Sequence, residues 1–163
     1  MIYRRLLFSL VLLSTAACAT GRGGSPLYRR EIGMASAPDA ITLAEQVIHR
    51  HGYQIDHAEE EPEIRILTHW RYRLPFEDEV ALGVTGAESR ILIVGRARHS
   101  TDLGTYYVVH LTMENRLQTD PFQGGGDSAW SDTVNTEMFT EYADEIADDY
   151  KLLVSNIGVR RYR

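Results

Sequence analysis

The chain has one cysteine in 163 residues, Cys18, so no disulfide can form within it and its fold is held by packing alone. Lysine is nearly absent: Lys151 is the only one, and every other basic residue is arginine, the bias of a GC-rich genome. No apolar run is long enough to span a bilayer, which takes about 20 residues; the stretch before the cysteine, Leu6 to Ala17, is about a dozen. Basic charge is also short, with 17 Lys and Arg against 23 Asp and Glu for a net charge of −6. That balance excludes a general nucleic-acid binder, which needs a basic footprint.

What is present at the N-terminus is ordered. Arg4 and Arg5 precede the uncharged stretch, and small residues follow it up to Cys18. A charged, an apolar and a small-residue region in that order make a secretory signal. The segment Ser14-Thr15-Ala16-Ala17-Cys18 resembles the lipobox of bacterial lipoproteins. The resemblance implies cleavage before Cys18, a lipid on its thiol and acylation of the new amine. It divides the chain into a signal peptide (1–17), a lipidated cysteine with a Gly/Ser/Pro tether (18–28), and one domain (29–163) of ordinary single-core size. Without Arg4 and Arg5 the charge is 15 basic against 23 acidic, or −8. Ala19 stands where enterobacterial sorting uses aspartate for inner-membrane retention, which implies the periplasmic side of the outer membrane, with the inner membrane as alternative.

Within the domain, Tyr28 to Met34 is expected as a short strand. Ser36-Ala37-Pro38-Asp39 is a helix-capping pattern, and Ile41, Ala44, Val47 and Ile48 follow at helical spacing up to Gly52, predicting a helix over 37–51. Three alternating segments follow. In the first, Ile64, Ile66, Thr68, Trp70, Tyr72 and Leu74 share the core face, and Arg65, Leu67, His69, Arg71 and Arg73 the other. The second runs from Ile91 to Arg98 and the third from Tyr106 to Leu117, joined as a hairpin through Asp102-Leu103-Gly104. Residues 77–79 and 83–88 are expected as a surface link, and 119–131, with its three glycines, as a loop. Phe139, Tyr142, Ile146, Tyr150 and Leu153 stripe a last, acidic helix over about 133–154. The fold class is therefore α+β: an antiparallel sheet of three to four strands in the order (β)-α-β-β-β-α, two helices on one face, the other face polar.

The helix ending His51-Gly52-Tyr53, then Ile64 to Trp70, Arg90 to Arg98, Val109 to Glu114 and Trp130 before the acidic helix, resembles bacterial lipoprotein domains similar to the helix-grip repeats of BamC, an accessory lipoprotein of the outer-membrane β-barrel assembly machine. The likeness is one of element order; it implies a fold and carries over no catalytic or ligand residue. BamC has two such domains where this chain has one.

Candidate chemistry is sparse. Gly126-Asp127-Ser128 is similar to the nucleophile block of GDS-type esterases, but no histidine follows it, and it reads as loop. His49 and His51 leave a helix on different sides and, with His57, match no metal-ligand spacing, so neither metal nor cofactor is expected. Arg71, Arg73, Arg96, Arg98 and Arg116 are expected on one sheet face, as an anion or acidic-partner surface. Trp70 is expected in the core and Trp130 as a lid on it, with an exposed anchor for a partner as the alternative for Trp130. These features predict a non-enzymatic membrane-anchored lipoprotein, held through acylated Cys18 and bound to an envelope protein partner. The alternative is a lipid- or small-ligand-binding module using the helix–sheet interior or the arginine face.

Overall fold

The computed structural model describes residues 27–101, 104–119, 130–132 and 135–161. Cys18, the tether to Pro26, the glycine loop with Asp127 and Ser128, and the tip of the 102–104 turn at Asp102 and Leu103 lie outside the described residues. The elements in chain order are β1 (Tyr28–Ser36), α1 (Ala37–Arg50), β2 (Ile55–Glu59), β3 (Ile64–Thr68), β4 (Arg71–Arg73), α2 (Glu77–Ala81), β5 (Val84–Thr101), β6 (Gly104–Thr119), β7 (Trp130–Asp132) and α3 (Glu137–Arg161). The fold is α+β with an antiparallel sheet, but the seven strands and three helices among the described residues exceed the expected three to four strands and two helices.

The sheet order is β1-β6-β5-β3-β2, with β4 pairing along β5 and β7 along β6. The long β5–β6 hairpin forms its spine, pairing from Val84 with Thr119 to Thr101 with Gly104. Residues Ile91, Ile93, Val109, Leu111 and Met113 of the hairpin, with Ile64 and Ile66 of β3, form one wholly buried face. Against it pack α1, through Ala40, Leu43, Ala44, Val47 and Ile48, and α3, through Phe139, Ala143, Ile146, Ala147 and Tyr150. Tyr150 is buried to the hydroxyl, which donates to the Ala40 carbonyl at 2.8 Å.

Helix α1 follows its sequence signals closely. Ser36 is the N-cap, its hydroxyl accepting from the Asp39 amide at 3.4 Å and donating to the Asp39 carboxylate at 2.5 Å, with Pro38 in the first turn. At the other end Gly52 takes φ +74°, the left-handed conformation open to glycine. The Tyr53 amide then reaches the Ile48 carbonyl at 2.9 Å and the Gly52 amide the His49 carbonyl at 3.0 Å, the two bonds of a Schellman stop.

The first alternating segment does not run straight. β3 pairs Ile66 with Ile93 and Leu67 with Leu92; β4 pairs Arg71 with Ser89 and Arg73 with Ala87. Continuing the β3 register places Thr68 opposite Ile91, so two residues, His69 and Trp70, stand opposite the single Arg90. This bulge inverts the phase of everything after it. Trp70 and Tyr72, expected in the core, are on the open face; Arg71 and Arg73, expected on the open face, are on the helix side. Opposite them the small Ser89 and Ala87 leave room for long side chains.

The expected link at 77–79 is instead helix α2, which buries Glu79 completely. β2, also unanticipated, pairs with β3 at the sheet edge.

Candidate functional site

The five arginines expected on one face are divided between two. Arg73 lies beneath α2, where its guanidinium forks onto Glu79 at 2.7 and 2.5 Å and donates to Asn115 at 2.9 Å. Its charge sits over the ring of Phe76 at 4.1 Å. The Glu79 carboxylate also accepts from the Phe76 amide at 2.9 Å and the Asn115 side-chain amide at 3.1 Å. An ion pair this buried requires satisfied partners, and it pins a helix of only five residues to the sheet. Arg71 lies over the Tyr53 ring at 5.2 Å and donates to the Tyr142 hydroxyl at 3.1 Å. Tyr53 in turn shares hydrogen bonds with Ser89 at 2.7 Å and Tyr142 at 3.1 Å, and burial pushes its phenol above the usual range. Arg73 is therefore committed to the fold, while Arg71, exposed and bonded to one neutral hydroxyl, is held on the helix side of the sheet, away from the open face.

Arg96, Arg98 and Arg116 are on the open face. Arg116 is committed: its guanidinium is paired with Glu88 and stacked between Trp70 at 4.2 Å and Trp130 at 5.0 Å. Arg90, paired with Glu114 at 2.6 Å, also lies over Trp70 at 4.5 Å. Trp70 thus meets two cations, and Trp130, in contact with one of them, is one-third exposed, not a lid on the core. Arg96 is paired loosely with Glu63 at 3.4 Å, and Arg98 is exposed.

Strand pairing orders the open face into transverse rows. One row reads Arg29, Thr112, Leu92, Leu67; the next reads Glu31, His110, Val94, Arg65, Glu59. Half-buried Leu92 and Val94 occupy the middle of the sheet, with arginines toward both sides. A groove of about 400 Å³ runs over this region, bounded by Leu27 and Arg29 on one side and Glu63, Arg65 and Arg96 on the other. Arg29 and Arg65 make no ion pair among the described residues, so two of the three arginines bounding the groove are uncommitted. His110 lies in the groove with its Nδ1 buried and without a hydrogen-bond partner, and its Nε2 is 3.7 Å from Glu31. Burial lowers its pKa, reinforced by Arg29, Arg96 and Arg98 and opposed by Glu31.

Sequence reasoning missed Arg29 and Arg65 as a pair. Arg65 was visible by alternation on the polar face, but its place in the row next to that of Arg29 depends on β1 joining the far side of β6, which no local pattern encodes.

The histidines are dispersed. His51 contacts Asp149 of α3 at 3.0 Å, and His57 contacts its strand neighbour Glu59 at 2.8 Å. Among the described residues no three His, Cys, Asp or Glu side chains are grouped to hold a metal ion. No helix of the described residues is long and apolar enough to cross a membrane.

No protein-family model matches this chain, and no curated protein is significantly similar to it.

Proposed function

We propose that this protein is a membrane-anchored periplasmic lipoprotein acting by binding rather than catalysis, as an accessory or scaffold in envelope assembly or maintenance. The observation that carries the reading is the N-terminal arrangement: an apolar signal ends in the only cysteine of the chain, ten positions before β1 begins at Tyr28. Ten residue steps span at most about 36 Å, so an acylated Cys18 keeps the domain beside the bilayer. The order of helix, strands and acidic helix, similar to that of BamC repeats, supports the same class. The packing of α1 and α3 supports a role for the exterior: the side chains between helices and sheet are buried in mutual contact, while the groove lies on the open face.

The test is co-purification from detergent-solubilised envelopes, comparing the intact chain with Cys18→Ala. A reproducible protein partner lost in the variant is expected of an anchored scaffold. Recovery of the protein alone from both would contradict the scaffold role.

A further inference from the structure

From the open-face groove we infer a binding site for an anionic phospholipid, with its phosphate held by Arg29 or Arg65 and its acyl chain lying over Leu92 and Val94. The argument rests on the pairing of chemistries. A free phosphate or a carboxylate peptide would be served by arginines alone; a wholly apolar ligand would not need them. Here half-buried aliphatic side chains form the floor, and exposed arginines without ion-pair partners among the described residues stand on β1 and β3 to either side. Three strand spacings, about 14 Å, separate the two backbones, room for one headgroup and its glycerol. Guanidinium forks match phosphate geometry, and both forks are uncommitted, unlike those of Arg73, Arg90 and Arg116. The groove is lined by three arginines, Arg29, Arg65 and Arg96, against two glutamates, Glu63 and Glu114, on an otherwise acidic chain. Leu27 edges the groove one residue before β1, which places the site at the end of the domain where the chain leads back to Cys18. Its closeness to a bilayer rests on the anchored reading; the binding chemistry does not.

Native mass spectrometry of the full chain carrying Cys18→Ala, released from nonionic micelles, tests the site separately from acylation. Phosphatidylglycerol, phosphatidylcholine and glycerol 3-phosphate are titrated in turn. The expected result is a saturable phosphatidylglycerol adduct at least fivefold more abundant than that of phosphatidylcholine, with glycerol 3-phosphate binding at least tenfold more weakly. Arg29→Ala with Arg65→Ala should cut the adduct at least fivefold without moving the melting temperature. Val94→Glu, which places a carboxylate in the floor, should do the same through a different residue. Equal retention of both lipids, or adducts unchanged in both variants, would overturn the site. Glycerol 3-phosphate binding as tightly as the lipid would overturn the acyl component and make this a soluble-phosphate site.

Discussion

Four hydrogen bonds converge on the fully buried carboxylate of Glu79, two of them from Arg73. Removing one partner of such a pair leaves the other charged in a desolvated site, a loss of about 3–5 kcal/mol. Glu79→Ala and Arg73→Ala should each lower unfolding free energy by that amount in urea titrations. Replacing both with apolar residues of similar size should recover much of it; additive losses would show that the pair is not a unit. His110 offers a pH readout at the same scale. Its pKa is lowered in the folded protein, first by burial and then by Arg29, so the unfolded chain binds more protons just below pH 6.5. The stability it permits is complete above that value and falls as acid is added. Between pH 7.5 and 5, His110→Gln should lose less melting temperature than the parent protein, and equal losses would contradict the assignment. Tyr28 illustrates a group outside such titration: burial and then its hydrogen bond to Asp144 raise its pKa to about 12, so it remains a donor at any ordinary pH.

At the scale of elements, legibility followed the locality of the cause. Helix α1 was readable because Ser36, Pro38, Asp39 and Gly52 encode its ends within a turn of the residues they cap. Ser36→Ala should cost about 1 kcal/mol, measured by thermal or urea unfolding. The β5–β6 hairpin was readable because one alternation runs through each arm. β2 was not: its Ile-Asp-His-Ala-Glu sequence is an edge with little burial and no alternating pattern. α2 is too short for periodicity and is held by Arg73 rather than by its own propensity. The bulge at His69-Trp70 was hidden because a bulge is a relation between strands. Uninterrupted alternation from Ile64 to Leu74 assigned Arg71 and Arg73 to the wrong face and dispersed the expected arginine site. Deleting His69 should therefore be tolerated, because it leaves Trp70 alone opposite Arg90 and keeps Arg71 opposite Ser89 and Arg73 opposite Ala87. His69→Ala, at an exposed position, should change stability by no more than about 0.5 kcal/mol. The deletion variant should keep Trp70 and Tyr72 on the open face and retain a cooperative unfolding transition; loss of that transition would contradict the register.

At the scale of the whole molecule, the two faces of the sheet divide the work. One is covered by α1 and α3 and supplies the core without a disulfide. The other has a tryptophan–arginine stack at one end and, where β1 begins, a groove with uncommitted arginines. The account turns on the proposal that the chain is held at a membrane next to that second face. The most direct test is mass spectrometry of the N-terminal peptide from purified envelopes of cells expressing the full chain. The account predicts a peptide beginning at Cys18, with a diacylglyceryl thioether and an acylated amine. An unmodified peptide with a different first residue, from protein recovered in the soluble fraction, would contradict it.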